Sequence, residues 1–245
     1  MATMYTRLSE LAADNPDAWS DHAVSAAYIR EHSPANRMLA FPYTKLHNSQ
    51  WNVDQAAGLI LCSARVAENL GIGRHKWVFP RAFTESNFMS VVASRKDLGA
   101  SPGFRITGQI AMQLAGVSFN KLRLCELYSC FPHAIRVQLQ EFGLDWLHNV
   151  SVTGGMTFGG GPLNNFVLQA TVRMARLLRQ NPGETGLVTA VSGFLTKQAC
   201  ALWSCTPGAE GWGCADVTEQ VRALSEVCDV VANYCGSGSV AGYTV

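Results

Sequence analysis

"GGMTFGGGPLNNFVLQATVRMARLL", Gly154 to Leu178, carries five glycines and a proline in its first nine residues and then passes without a gap into a long amphipathic stretch. Glycines at that density mean that something approaches the backbone closely, or that the turn requires positive φ. A proline at a first helical turn costs little, because that N–H has no intrahelical partner. The stretch therefore predicts a loop followed by a helix starting near Pro162. A glycine loop feeding a helix N-terminus can hold an anion or a developing oxyanion. It can equally be a tight crossing point inside a packed core.

Working outward, "FPHAIRVQLQEFG" before this stretch predicts a helix closed by Gly143, and "KLRLCELYS" a strand. "SPGFRITGQIAMQLAG" predicts a helix with Ser101 as N-cap, Pro102 in the first turn and Gly116 at its end. "HKWVFPRAF" predicts a strand. In "VDQAAGLILCSARVAENLGIG", Gly58 to Cys62 suits a buried strand and Ala64 to Leu70 a helix stopped by Gly71. "MYTRLSELAADNP" predicts a short helix ended by Asn15 and Pro16, and residues 1–47 otherwise suggest loop and linker. On the far side, "GLVTAVSGF" and "QACALWS" predict two apolar strands joined by a short turn. Such alternation implies an α/β layered domain with a largely buried sheet. From Thr206 the texture turns glycine-rich and polar, and "DVVANYCGSGSVAGYTV" suggests strands of an additional β-rich unit over 206–245.

The chain has 245 residues, of which 48% are hydrophobic and 15% charged, which suits a well-buried globular protein. Nineteen Lys and Arg against eighteen Asp and Glu give no basic excess for nucleic acid or an anionic membrane. No apolar run reaches the ~18 residues that span a bilayer, and the first residues lack the apolar middle of a signal peptide. The cytoplasm is the expected compartment, with the peroxisome left open. The eight cysteines include no C-x-x-C pair, and several sit in apolar runs. They are expected to be free structural thiols, and no metal site is expected.

Four separated segments resemble the thiolase superfamily. "NSQWNVDQAAGLILCSARVAENLGI" is similar to the thiolase stretch Asn-x-Ser-Gly-x-x-Asp-Gly-Ala-Ala, with Asn48, Asp54, Ala56 and Ala57 matching. "LCELYSCFPHAI" resembles the segment that carries Asn-Glu-Ala-Phe, or His-Asp-Cys-Phe in sterol-carrier-type thiolases. "GGMTFGGGP" resembles Gly-Gly-x-x-x-x-Gly-His-Pro, and "GLVTAVSGFLTKQACALW" the closing Cys-x-Gly strand pair. Order and spacing agree across roughly residues 40–204. The best resemblance is to thiolase-like proteins labelled acetyl-CoA acetyltransferase, some of which carry an added C-terminal β domain. The resemblance implies one βαβαβαββ half with a layered mixed sheet covered by helices, here over 48–205. Nothing corresponds to the other half, which in thiolases carries the nucleophilic cysteine and the dimer contact. A two-fold dimer is the expected assembly.

The resemblance also implies a chemistry: a cysteine thiolate takes the acyl group, a second cysteine moves the α-proton, and a histidine with an asparagine-held water stabilises the enolate. Gly161 stands at the histidine position, Val191 at the Cys-x-Gly cysteine, and Tyr128 at the asparagine. The glycine loop then reads as a thiolase loop that has lost its histidine. Remaining catalytic candidates are Tyr128 as an acid/base or oxyanion donor, Cys130 at a helix start whose dipole would lower its thiol pKa, and Ser192 as a weak donor. Asn48, Gly160, Gly161, Asn164 and Gly193 are the candidate substrate-binding positions. Asn165 is a possible replacement donor, His133 a solvent-facing or capping residue, and Arg37, Lys45 and His47 lie where the family approaches CoA. The expected ligand is a CoA thioester, as substrate or bound molecule, with no other cofactor. Three functions follow from the resemblance: an acyltransferase-family protein of lipid metabolism, a non-catalytic acyl-CoA-binding or scaffold subunit, or a retro-aldol lyase using Tyr128.

Overall fold

Ser101 accepts a hydrogen bond from the Phe104 N–H, Pro102 occupies the first turn, and Gly116 ends the helix in the left-handed conformation, so the helix between them has both its ends specified locally. In a computed structural model the chain is described over residues 1–209, 211–240 and 242–243. Its elements run α1 (Ala2–Ala13), α2 (Ala26–Arg30), a small hairpin β1 (Met38–Ala40) and β2 (Tyr43–Thr44), α3 (Ala64–Asn69), β3 (Phe79–Glu85), and α4 (Pro102–Ala115). They continue with β4 (Leu124–Glu126), α5 (Pro132–Phe142), α6 (Gly155–Phe158), α7 (Asn165–Gln180), β5 (Thr185–Ser192), β6 (Thr196–Ser204), β7 (Gly213–Asp216) and α8 (Thr218–Leu224).

Five strands form one mixed sheet in the order β4-β5-β6-β3-β7. β4 runs parallel to β5, β5 and β6 form the central antiparallel hairpin, β6 pairs antiparallel with β3, and β3 pairs parallel with β7. The period of two along the strands divides the core. Ala82, Leu187 and Leu202 point to one face, where Phe104, Ala111 and Met112 of α4 and Ile135 and Leu139 of α5 pack. Val188 and Trp203 point to the other, against Phe166, Ala170, Met174 and Leu178 of α7, which recur every fourth residue and so form one stripe. The result is the expected α/β architecture of a mixed sheet covered by helices.

Several details differ from the sequence reading. Gly58–Cys62 is neither strand nor buried: Ile60 is 96% and Leu61 76% exposed, and no sheet edge among the described residues takes the apolar run. α7 begins at Asn165 rather than near Pro162, since Leu163 adopts φ of 52°, outside the helical region, and a separate short turn, α6, forms within the glycines. The expected first helix forms as α1, and its Tyr5, Leu8 and Ala12 enter the main core cluster. After Thr206, β7 joins the same sheet, and the described part of 225–243 contributes an isolated bridge between Arg95 and Val227. Residues 210, 241, 244 and 245 of the expected 206–245 unit lie outside the described ones. All eight cysteines are free.

Candidate functional site

The residues from Ser151 to Gly160 are all buried, so every backbone polar group in this stretch needs a partner inside the protein. Glu126, at the end of β4, supplies the first. Its carboxyl is completely buried and accepts the N–H groups of Val152 and Thr153, each at 2.8 Å, and the Ser151 hydroxyl at 2.9 Å. Ser151 Oγ in turn accepts the N–H groups of Gly154 at 2.9 Å and Gly155 at 2.8 Å. One step along, Ser129 Oγ accepts the Met156 N–H at 2.9 Å. Burial raises the Glu126 pKa to about 7, against the lowering effect of these hydrogen bonds.

Three of the segments singled out in the sequence meet here. The Ser49 N–H donates to the Cys130 carbonyl at 2.9 Å, the Gln50 N–H to Met156 at 3.0 Å, and the Gly161 N–H to Gln50 at 2.9 Å. Thr157 Oγ1 donates to the Asn48 carbonyl at 3.0 Å. The Asn48 side chain is occupied with the Thr44 carbonyl at 2.9 Å. The Asn48–Gln50 segment, the turn Tyr128–Cys130 after β4, and the glycine loop therefore form one hydrogen-bonded unit. Ser192 and Gly193 are held elsewhere. Ser192 is exposed at the end of β5, and the Gly193 carbonyl is bound by Arg95 at 3.2 Å and Thr196 at 2.7 Å. Asn164 is exposed and makes no side-chain cap, whereas Asn165 accepts the Ala57 N–H at 3.2 Å.

Each candidate side chain has a definable state. Tyr128 is half-buried, packs edge-on against Phe166, and has its phenol pushed up chiefly by burial. Its backbone is clamped from both sides, by Thr189 Oγ1 on its N–H at 2.8 Å and Gln138 Nε2 on its carbonyl at 2.9 Å. The Cys130 thiol is pushed up to about 12 by burial. The expected lowering by a helix dipole does not occur: α5 starts at Pro132 with Phe131 as N-cap, and desolvation outweighs the hydrogen bonds that act the other way. Val191 lies in the core. His47 is buried against Thr44, with Nδ1 at 2.9 Å from its hydroxyl, and burial lowers its pKa. Arg37 and Lys45 are exposed. His133 lies at 2.9 Å from the Leu98 carbonyl.

The glycine loop has no spare room. A Cβ on Gly161 would stand 3.0 Å from the Met156 carbonyl oxygen and 3.1 Å from the Ser49 Cβ. Gly160 has φ of +97°, and a Cβ there would meet the Gln55 amide oxygen at 2.0 Å. Gln55 is fixed in that place because its Nε2 donates to the carbonyls of Asp17 and Gly159, both at 2.9 Å. Separately, a cavity of about 470 Å³ opens beside the β5–β6 turn, lined by Arg95, Ser101, Arg105, Leu195, Gln198 and Leu224 among others. Among the described residues no group of three or more His, Cys, Asp or Glu could hold a metal ion, and no helix is long and apolar enough to cross a membrane.

Glu126, Ser151, Gln138, Thr189 and Gln55 do not stand out in a motif reading. One signal was available: Glu126 is a lone carboxyl within the apolar run "LRLCELYS", and such a group must be hydrogen-bonded wherever it is buried.

No known family profile matches the sequence, and no curated protein does. Solved structures do. A protein described as a monomeric SCP2-thiolase-like protein type 1 from Mycobacterium smegmatis matches with a TM-score of 0.86 and 27% identity, covering 100% of this chain and 54% of its own. The dimeric peroxisomal thiolase of Saccharomyces cerevisiae matches at 0.58 with 18% identity, covering 83% of this chain and 53% of its own. The Ltp2-ChsH2(DUF35) aldolase matches at 0.59 with 15% identity, covering 83% of this chain and 57% of its own. The chain has a thiolase-like fold, and it spans about half the length of these structures.

Proposed function

Taking the thiolase-like fold as premise, we propose that this chain binds an acyl-CoA thioester at the unit formed by Asn48–Gln50, Tyr128–Cys130 and the glycine loop, without carrying out thiolase carbon–carbon chemistry through residues of this half. One observation carries the reading: the loop backbone is built in full around Gly160 and Gly161, while the space a side chain would need at Gly161 is taken by Met156 and Ser49. Proton transfer needs a titratable group near working pH. Val191 is apolar, and the Cys130 thiol, at about 12, stays protonated. Exposed Arg37 and Lys45 flank the unit in sequence and suit CoA phosphates. On this reading the protein belongs to acyl-CoA and lipid metabolism as a binding or scaffold component.

The retro-aldol alternative has one observation in its favour. The Tyr128 phenol makes no hydrogen bond among the described residues, and its backbone is held by Gln138 and Thr189. Self-association into a dimer is part of the proposal, motivated by the exposed apolar run around Ile60 and Leu61.

Calorimetric titration with acetyl-CoA, alongside an acetoacetyl-CoA thiolysis assay, tests the reading. Binding with a Kd of about 100 μM or tighter and no thiolysis above background is expected. Absence of binding, or turnover of roughly 1 s⁻¹ or more, overturns it. Cleavage of a β-hydroxyacyl-CoA that is abolished by Tyr128→Phe selects the lyase instead.

A further inference from the structure

The arrangement of Glu126, Ser151 and the two glycines has a direction. A serine hydroxyl donates one hydrogen bond and accepts two. Ser151 donates to the Glu126 carboxyl and accepts the N–H groups of Gly154 and Gly155, with a longer contact from the Thr153 N–H at 3.2 Å, while the Gly155 N–H is shared with Thr153 Oγ1 at 3.1 Å. Glu126 also holds Val152 and Thr153 directly. Two of the loop's amides are thus bound by the carboxyl itself, and the next two by a hydroxyl whose orientation the carboxyl sets. If the carboxyl carries a proton, its O–H competes for Ser151 Oγ, and one glycine N–H must give up part of its bond.

We infer that Glu126 is the positioning residue of the glycine loop, acting on Gly154 and Gly155 through the Ser151 hydroxyl, so that the protonation state of a buried carboxyl is transmitted to the turn that leads into Gly160 and Gly161. The inference rests on the proposed function only for what the loop serves; the relay itself concerns the unliganded chain.

α1 packs against Gly154 and Gly155 through Ala12 and Leu8, and its Arg7, Glu10 and Asp14 line one surface hollow with His148 and Val150. Cys125 lies on the same strand as Glu126, with its thiol pushed up to about 12 by burial. His148, on the segment leading to Ser151, has Nε2 at 3.5 Å from the Cys125 sulfur, and burial lowers its pKa. Arg173 of α7 donates to the Val152 carbonyl at 3.3 Å. Tyr128 and Cys130 follow β4, and burial raises both. Of these, His148 is the one group besides Glu126 whose titration could fall in the same range, so it needs its own control.

Backbone amide resonances, followed by NMR as pH is varied from about 5 to about 9, read the relay. In the unaltered chain the amides of Val152, Thr153, Gly154 and Gly155 are expected to shift together with one apparent midpoint near 7. In Glu126→Gln all four become flat. In Ser151→Ala the shifts at Gly154 and Gly155 are lost while those at Val152 and Thr153 persist, which a purely structural role for Glu126 does not produce. His148→Gln leaves the titration in place. The inference is overturned if Gly154 and Gly155 are flat in the unaltered chain, if Glu126→Gln still titrates, or if His148→Gln removes the titration. Flat amides at Gly154 and Gly155 in the unaltered chain overturn the inference whether or not the variants fold, and acyl-CoA binding plays no part in the readout.

Discussion

Thr189 donates to the Gln138 amide oxygen at 2.6 Å and, through the same hydroxyl, accepts the Tyr128 N–H at 2.8 Å. β5 and α5 are thereby joined through a buried polar contact that also fixes the turn carrying Tyr128, Ser129 and Cys130. Ser129 and Cys130 in turn anchor the glycine loop and the Asn48–Gln50 segment. The position of the site thus traces back to a threonine in the middle of the sheet.

Thr189→Val keeps the shape but leaves the Tyr128 N–H and the Gln138 oxygen unpaired in the core. A buried unsatisfied group costs about 1–3 kcal/mol, so with two such groups the variant should lose roughly 2–6 kcal/mol. Urea unfolding of the two proteins measures it, and an unchanged midpoint would show that water or rearrangement satisfies both groups.

Glu126 gives the fold a pH dependence of known sign. Its carboxyl titrates near 7 in the folded chain, against 4.5 ordinarily, so the folded state holds the proton more tightly between those values. The stability this contributes is complete below the ordinary value and is lost as pH rises through about 7, with a span on the order of 3 kcal/mol. Stability measured from about pH 5 to about pH 8 should fall more steeply in the unaltered protein than in Glu126→Gln. Parallel curves would remove Glu126 as the source.

Gly160→Ala should be costly and Gly183→Ala should not. The first needs a left-handed φ of +97° and displaces the Gln55 amide, whereas a Cβ on Gly183 meets nothing within 4 Å. Strain of this kind costs about 1–3 kcal/mol before the Gln55 contacts are counted. A surface change without strain stays within about 0.5 kcal/mol. Thermal unfolding of both variants checks the contrast, which equal losses would contradict.

Thiol titration separates the cysteines by burial. Cys62, Cys214, Cys228 and Cys235 are exposed and should react in the native protein, while Cys125 and Cys200 are buried with thiols pushed up to about 12. Full denaturation without reductant should reveal all eight. A count of zero after denaturation would mean four disulfides and a different chain geometry.

How much of this was legible in the sequence depends on whether the deciding physics is local. Ser101, Pro102 and Gly116 mark the ends of α4, and Gly143 marks the end of α5, because caps and stops act within a few residues. The sequence places the start of α7 too early, since Pro162 is compatible with a first turn and nothing nearby announces the left-handed Leu163. Gly58–Cys62 has the composition of a buried strand, yet burial requires a partner surface, which composition does not supply. The glycine loop reads from the sequence either as an anion site or as a tight crossing point. What packs it, the carboxyl of Glu126 and the amide of Gln55, comes from residues 25 or more positions away, and only the fold brings them there.

Amide shifts on titration with acetyl-CoA locate the proposed thioester site. Changes are expected to cluster at Ser49, Gln50, Tyr128, Gly160 and Gly161 and to saturate together. Changes confined to the separate cavity lined by Arg95, Arg105 and Gln198, or no changes at all with acetyl-CoA in excess, would contradict it.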